Sequence, residues 1–285
     1  MSTRSLLKVL VLIGLVFVCV GYPNSGAAQG LEELSFPKKL KLAKVGDEDA
    51  QMAVARHYEV GNKVKRSRLE AAKWYRLAMD QGNVEAQLRL ARLVHQGGDG
   101  LKQDLIMAAQ LYREAAEVGN VEAQNWLGYC YQHGIGVEAS DQSAFEWYRQ
   151  SADAGFAPAQ NNLGLMYLTG KGTERSLLRA FENFERSANL GDHWGLNNLG
   201  GMYEMGWGVA KDTRRALEFY GRAVEAGNKP AQDNFARLSA IVEGRPLPPA
   251  TVATTQIKPA AAPAGTLQQA TPPTVFTPDS ETHQE

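Results

Sequence analysis

The stretch Ala159-Gln160-Asn161-Asn162-Leu163-Gly164-Leu165-Met166-Tyr167-Leu168-Thr169-Gly170-Lys171-Gly172 decides the fold, because its pattern returns 36 residues away on either side. The frame opens at Ala50, Ala86, Ala123, Ala159, Gly195 and Ala231, at successive spacings of 36, 37, 36, 36 and 36 residues. The one additional residue falls in the turn Gln96-Gly97-Gly98-Asp99-Gly100, where a loop absorbs it. A fixed period of this length is typical of a solenoid, in which each unit packs against its neighbours.

The first segment of every unit has the apolar spacing of an amphipathic helix. Counted from the leading Ala or Gly as position 1, apolar or small residues fall at positions 1, 5, 8 and 9. These positions share one face of a helix, whereas positions 3, 7 and 10 point away from it. Glycine costs a helix about 1 kcal/mol relative to alanine. We therefore expect two helices to approach closely at position 6, which holds Ala55, Ala91, Gly128, Gly164, Gly200 and Ala236.

The second segment of each unit begins with a residue that caps helices. Ser and Asp side chains accept a free backbone N–H of the first turn, which contributes about 1 kcal/mol. The pattern predicts N-caps at Ser67, Asp104, Ser140, Ser176 and Asp212. A glycine then ends each second helix, and the Asn or Asp that often follows is placed to cap the next first helix. Phe156 departs from this pattern, and we expect Pro158 to compensate by presetting the helical backbone.

These elements predict an all-α fold, a right-handed α/α superhelical solenoid. Residues 29–46 form an N-terminal capping segment with one helix after Pro37, since Gly46 lies one period before Gly82. Residues 47–243 hold about five repeats and a closing helix. Residues 244–285 are rich in Pro, Ala and Thr and are predicted to be disordered, because they contain too little apolar surface to offset the entropy of ordering.

Residues 1–28 have the features of a signal peptide. Arg4 and Lys8 precede an apolar run from Val9 to Val20, and Gly26-Ala27-Ala28 offers small residues for cleavage before Gln29. The run is shorter than the ~20 residues that span a bilayer, although a retained anchor is the alternative. We expect a periplasmic or secreted protein without a stable membrane span after cleavage.

The cysteines and charges exclude several classes of function. If Cys19 leaves with the signal peptide, Cys130 has no disulfide partner, and its position 8 predicts a core residue. Lys and Arg number 30 against 31 Asp and Glu, with no basic run, so nucleic acid is not an expected partner. The His and Cys residues lack the spacing of a zinc site, and no glycine-rich phosphate loop follows a strand, so we predict neither metal nor cofactor.

The repeat resembles the Sel1-like repeat, a relative of the tetratricopeptide repeat. The match is best at Gly206-Trp207-Gly208-Val209 with Asp212, Arg215-Ala216 and Phe219-Tyr220. It is weaker in the first two units, where Gly61-Asn62-Lys63-Val64 lacks the second glycine and Val94 replaces a tyrosine. The resemblance implies a protein that scaffolds or regulates protein complexes, often in bacterial envelopes. The paired cysteines of some exported members are missing here.

Some relatives are labelled β-lactamases, which makes an enzyme acting on cell-wall or β-lactam substrates one alternative. Such an enzyme needs Ser-x-x-Lys together with Ser-Asp-Asn and Lys-Thr-Gly motifs. Ser35-Phe36-Pro37-Lys38 matches only the first of these, and Lys171-Gly172-Thr173 has the wrong order. We therefore expect a protein that is not an enzyme. A structural tether to envelope polymers, anchored by the Pro-rich tail, is a second alternative.

The remaining candidate for function is the concave face, which first helices line in solenoids of this kind. Position 7 holds Arg56, Arg92, Tyr129, Leu165, Gly201 and Arg237, and position 3 holds Met52, Leu88, Asn125, Asn161, Asn197 and Asp233. Aromatic and Arg side chains are frequent binding hot spots, and Asn amides can hold a peptide backbone. The predicted surface for a protein partner comprises Arg56, Arg92, Asn125, Tyr129, Asn161, Leu165, Asn197 and Arg237.

Overall fold

The computed structural model describes residues 30–246. The predicted signal peptide and nearly all of the predicted tail lie outside the described residues. Within residues 30–246 no strand forms, and Gly98 and Leu101 make an isolated bridge. No helix of this region has the length and apolar character that crossing a membrane requires.

Twelve helices follow one another between residues 36 and 243. They are α1 (Phe36–Lys44), α2 (Glu48–Val60), α3 (Arg68–Met79), α4 (Val84–Gln96), α5 (Leu105–Glu117), α6 (Val121–His133), α7 (Asp141–Asp153), α8 (Ala157–Thr169), α9 (Leu177–Asn189), α10 (His193–Met205), α11 (Thr213–Glu225) and α12 (Lys229–Glu243). Even-numbered helices are first helices of the repeats and odd-numbered helices are second helices. Each helix packs against the one before it and the one after it, which confirms the α/α solenoid.

The predicted caps are confirmed at both kinds of helix. Each second-helix cap accepts the backbone N–H three residues on, through Ser67, Asp104, Ser140, Ser176 and Asp212. The first helices are capped in the same way by Asp47, Asn83, Asn120, Asp192 and Asn228. Phe156 makes no side-chain cap, and Pro158 occupies the first turn of α8 instead. The helix boundaries therefore follow from local hydrogen bonding.

A close contact at position 6 joins the two helices of each repeat. In the central repeats, a Cβ on Gly164 would lie 2.7 Å from a ring carbon of Phe184, on the second helix. Gly128 and Gly200 are equally close to the rings of Tyr148 and Tyr220, at 2.8 Å. The expected close approach is confirmed, and its cause is an aromatic ring that fills the space a side chain would take.

In three repeats the hydroxyl of this second-helix tyrosine donates a hydrogen bond to the side chain at position 10 of the first helix. Tyr75 donates to Glu59 at 2.6 Å, Tyr148 donates to Gln132 at 2.9 Å, and Tyr220 donates to Glu204 at 2.9 Å. Where the second helix has a phenylalanine, Phe184, position 10 is the apolar Leu168. In these four repeats the two residues match in polarity, because a buried hydroxyl needs a partner and a buried phenyl ring does not. Tyr112 is the exception, since its buried hydroxyl has no hydrogen-bond partner among the described residues and its ring lies beside His95.

Side-chain amides at position 2 join consecutive repeats. The amide nitrogens of Gln51, Gln124 and Gln160 each donate at 3.3 Å to a carbonyl near the end of the preceding second helix. These carbonyls are among the groups that a helix end leaves without an intrahelical partner. The same bond therefore satisfies one helix and fixes the next repeat on it.

Cys130 lies in the core at position 8 of α6, as its place in the repeat predicted. Its side chain is fully buried, and burial raises the pKa of the thiol to about 12. The group therefore stays protonated near neutral pH and packs as a small apolar residue.

Replacing Gly164 by alanine should destabilise the protein, because the added methyl group overlaps the ring of Phe184. Overpacking of this kind costs about 1–3 kcal/mol. The control is Gly221→Ala in α11, where the new Cβ would meet Phe235 at an ordinary 3.5 Å. We expect Gly164→Ala to lower the free energy of unfolding in urea, and Gly221→Ala to leave it unchanged or raise it. Equal effects of the two substitutions would contradict the close-contact account.

Candidate functional site: the inner face of the first helices

The first helices line the inner side of the solenoid. Across adjacent repeats, α8 contacts α10 directly, and hydrogen bonds join first helices of successive repeats. Elements on the inner side of a curved stack come closest together, whereas those on the outer side spread apart. The inner face of α2, α4, α6, α8, α10 and α12 is therefore the concave surface predicted from the sequence.

Buried asparagines form a ladder along the C-terminal half of this face. The amide nitrogen of Asn162 donates to the side-chain oxygen of Asn125 at 3.0 Å. Asn198 donates to Asn161 at 2.7 Å in the next repeat, and the last rung joins Asn234 to Asn197 at 3.0 Å. Each rung links position 4 of one first helix to position 3 of the helix before it, and the rungs hold α6, α8, α10 and α12 together.

The expectation that the position 3 asparagines are open to a partner is wrong. Asn125, Asn161 and Asn197 are only 2%, 0% and 1% exposed, respectively. Their side-chain oxygens accept hydrogen bonds from the neighbouring repeat. Burying each amide without such a partner would cost roughly 1–3 kcal/mol of stability, because the amide loses its hydrogen bonds to water. The asparagines therefore hold repeats together.

The exposure of the residue at position 7 decreases along the solenoid from α2 to α10. Arg56 is exposed, Arg92 and Tyr129 are half-buried, and Leu165 is 8% exposed. Gly201 at the same position of α10 is also buried. The inner face is thus open over α2, α4 and α6 and closed over α8 and α10, where the first helices lie against one another.

Arg237 is largely buried and pairs with Glu204, so the prediction that it lies on an open surface is wrong. Its guanidinium holds both carboxylate oxygens of Glu204, each at 2.8 Å. Glu204 also accepts the hydroxyl hydrogen bond of Tyr220, and burial together with this carboxylate raises the pKa of the tyrosine. The bidentate contact fixes α12 on α10, so removing Arg237 would loosen the last helix.

The open half of the inner face centres on five residues, Arg92, Glu122, Trp126, Tyr129 and His133, which we call the α4–α6 patch. Arg92 on α4 contacts Glu122 on α6 at 3.3 Å, and the indole nitrogen of Trp126 donates to the same carboxylate at 3.4 Å. Tyr129 packs edge-on against Trp126 with ring centroids 5.9 Å apart. The ring of His133 lies 4.3 Å from that of Tyr129. Two rings and one ion pair therefore form a continuous surface over the buried Trp126.

The electrostatics of the α4–α6 patch favour neutral rings. Burial, together with the nearby Lys171, lowers the pKa of His133. Its imidazole is therefore neutral near pH 7 and can both donate and accept a hydrogen bond. Burial raises the pKa of Tyr129, so the phenol stays protonated. The patch offers aromatic surface, one guanidinium and one carboxylate to a ligand.

The residues that resemble β-lactamase motifs lie apart from this patch. Ser35 stands immediately before α1, and Lys171-Gly172-Thr173 belongs to the turn after α8. His95 is buried beside Tyr112 and Trp126, and burial lowers its pKa. Across residues 30–246, His, Cys, Asp and Glu side chains do not gather in a group that could hold a metal ion.

Sequence reasoning missed the ladder and three members of the patch, Glu122, Trp126 and His133. A signal for the ladder exists: the doublets Asn161-Asn162 and Asn197-Asn198 place an asparagine at positions 3 and 4 of successive units. Glu122 lies just before position 1 and Trp126 at position 4, on the same helix face as Tyr129. The sequence prediction considered only positions 3 and 7 as exposed to a partner, and it therefore left out Glu122 and Trp126.

The repeats match the family model described as the Sel1 repeat. The matched residues are 48–83, 84–120, 121–156, 157–192 and 195–228, which together make up more than half of the chain. Each of the first four matches begins at the start of a first helix and ends at or next to the cap of the following one. The family model and the structure thus divide the chain into the same units.

Two solved structures resemble this chain in sequence and fold. One is c5321, a protective antigen present in uropathogenic Escherichia coli strains, with 36% identity, 72% of this chain covered and a TM-score of 0.62. The match spans only 44% of that protein. The other is a Sel1 repeat protein from Oxalobacter formigenes, with 27% identity, 77% of this chain and 90% of that chain covered, and a TM-score of 0.67. No curated protein matches the sequence.

Removing one side of a ladder rung should destabilise the fold. Asn161→Ala leaves the buried amide of Asn198 without its acceptor, which costs about 1–3 kcal/mol. The double variant Asn161→Ala, Asn198→Ala should lose less than the sum of the two single variants, since neither partner remains. Urea unfolding measures all of them, with Asn189→Ala at the exposed end of α9 as a neutral control. Additive losses would show that the rung contributes no coupling.

Proposed function

Because this chain belongs to the Sel1 repeat family, whose members are generally protein-interaction scaffolds, we propose that it is a non-catalytic adaptor or regulatory protein of the cell envelope. Its binding surface is the α4–α6 patch, together with Arg56 on the neighbouring α2. The partner is a protein that presents an extended segment or a helix to this surface. Binding involves no covalent chemistry.

The observation that carries this proposal is the contrast between the two halves of the inner face. The C-terminal half has its polar side chains occupied by the asparagine ladder and by Glu204 with Arg237. The N-terminal half leaves Arg56 exposed and Tyr129 half-exposed. A ligand therefore finds accessible aromatic and cationic groups over α2, α4 and α6.

The α4–α6 patch has the properties of a binding hot spot. Trp, Tyr and Arg are the residue types that contribute most to protein interfaces. Trp126 is 2% exposed and lies beneath the patch, Tyr129 packs edge-on against it, and His133 packs at a tilt against Tyr129. Side chains that are already packed lose little entropy on binding, which favours affinity. A partner segment that fits here carries an apolar or aromatic side chain for the rings and a charged group for Arg92 or Glu122.

We place the protein in the periplasm or outside the cell. The basic start, apolar run and small-residue site of residues 1–28 support export. The similarity to a protein described as a protective antigen agrees with that location. A signal-peptide cleavage assay on whole cells, with N-terminal sequencing of the product, tests it; a product that begins at Met1 would contradict export.

Loss of the two exposed patch rings should weaken partner capture. We expect Tyr129→Ala with His133→Ala to weaken binding at least tenfold, since a hot-spot residue contributes about 2 kcal/mol or more. The matched control is Leu178→Ala with Leu190→Ala, two exposed apolar residues at the ends of the second helix α9. The measurement is a pull-down from envelope extracts with quantitative mass spectrometry, after circular dichroism shows equal folding. Equal capture of the partner by both variants would show that the binding surface is not the α4–α6 patch.

A further inference from the structure

Basic residues border the open half of the inner face, on α2 and in the turn after it. Between residues 50 and 69 the only acidic residue is Glu59, whereas five residues are basic, namely Arg56, Lys63, Lys65, Arg66 and Arg68. Glu59 is already engaged, since it accepts the hydroxyl hydrogen bond of Tyr75 and pairs with Arg89 on α4 at 3.5 Å. This stretch of the chain therefore carries positive charge that its own residues do not neutralise.

Four of these basic residues are exposed, and we call them the α2 basic cluster: Arg56, Lys63, Lys65 and Arg66. Arg66 pairs with Asp99 at 3.0 Å, and the other three make no ion pair with any residue of the range 30–246. Val60, one turn after Arg56 on the same helix face, is 73% exposed. Arg56 occupies the same repeat position as Arg92, so the cluster adjoins the α4–α6 patch. Unpaired cations and apolar surface thus lie side by side.

Residues 247–285, which lie outside the described residues, have the complementary chemistry at one end. Phe276 is their only aromatic residue, and their only acidic residues follow it at Asp279, Glu281 and Glu285. Lys258, well before Phe276, is their only Lys or Arg residue. An aromatic ring followed by carboxylates fits the α4–α6 patch and the α2 basic cluster together, because the rings of the patch can pack on a ring and the unpaired cations attract negative charge.

The chain is long enough to bring this end to the inner face. The asparagine rungs join nearly equivalent positions of successive first helices, so these helices run parallel and α12 ends at the same edge of the solenoid as α2 and α6. Packed helices lie about 10 Å apart, so the steps from α12 through α10 and α8 to α6 cover at most about 60 Å. The roughly 30 residues from Pro246 to Phe276 extend to about 100 Å, which exceeds this distance.

We propose that residues 275–285 bind the inner face of their own chain and cover it until a partner displaces them. Phe276 packs against the rings of Tyr129 and His133, and the carboxylates that follow it lie beside the α2 basic cluster. A tethered segment binds without the entropy cost of joining two molecules, so a modest affinity is sufficient. The inference rests on the proposed function, because it takes the α4–α6 patch as the binding surface, and it implies a partner segment that is itself aromatic and acidic.

Photo-crosslinking of the purified full chain, with no partner present, tests this contact. A photoreactive phenylalanine analogue replaces Phe276, and mass spectrometry after irradiation should locate the crosslink on α6 or on residues 56–66 of the same molecule. Lys63→Glu with Lys65→Glu should lower the crosslink yield roughly fivefold or more, because like charges then face each other. The matched control is Lys211→Glu with Lys229→Glu, two exposed lysines of the C-terminal repeats, which should leave the yield unchanged.

Two results of this experiment would overturn the proposal. A yield that rises with protein concentration would show that the segment reaches a second copy and not its own chain. The absence of any crosslink to α6 or to residues 56–66 would show that the segment does not cover the inner face.

Partner capture tests separately whether the segment competes with a partner. Phe276→Ala should raise capture in the pull-down from envelope extracts roughly threefold or more, because a larger fraction of the chains then has an open surface. Capture equal to that of the unaltered chain would contradict the competition. The self-contact and the proposed function fail separately: a missing crosslink overturns the self-contact alone, whereas unchanged capture by Tyr129→Ala with His133→Ala overturns the proposed function alone.

Discussion

The aromatic ring packed against position 6 is the contact on which the rest of the solenoid depends. Because Gly128, Gly164 and Gly200 have no side chain, the second-helix ring lies directly against the first-helix backbone. This distance sets how near the two helices of a repeat lie. The presence or absence of a hydroxyl on the ring goes with the residue type at position 10. This residue accepts the hydroxyl hydrogen bond of Tyr75, Tyr148 and Tyr220, and it is apolar opposite Phe184.

Packing between repeats divides the inner face into two regions with different roles. Over α8 and α10 the first helices come into contact, and asparagine side chains of neighbouring helices hydrogen-bond to one another. Over α4 and α6 the corresponding positions hold Arg89 and Trp126, whose side chains are too large for such a rung. There the ion pair of Arg92 with Glu122 spans neighbouring repeats and leaves rings accessible. One solenoid thus contains a closed structural half and an open half suited to binding.

Much of the fold could be predicted from the sequence, because its determinants are local and repeat. The sequence alone is enough to predict caps such as Ser140 and Asp212, the turn glycines and the 36-residue period. The site was harder, since a single helix cannot show how tightly neighbouring first helices approach. Asn161 and Arg237 have the residue types of a binding surface, yet the curvature buries the first and Glu204 engages the second. Contacts between residues 33 or 37 positions apart decided both outcomes.

The central claim, that partners meet the open half of the inner face, is tested most directly by photo-crosslinking in living cells. A photoreactive amino acid at position 133 lies on the α4–α6 patch, and one at position 178 lies on the second helix α9. The account predicts that irradiation joins a specific protein to the chain labelled at position 133 and none to the chain labelled at position 178. A specific adduct from position 178 alone would show that the second helices, and not the patch, receive the partner.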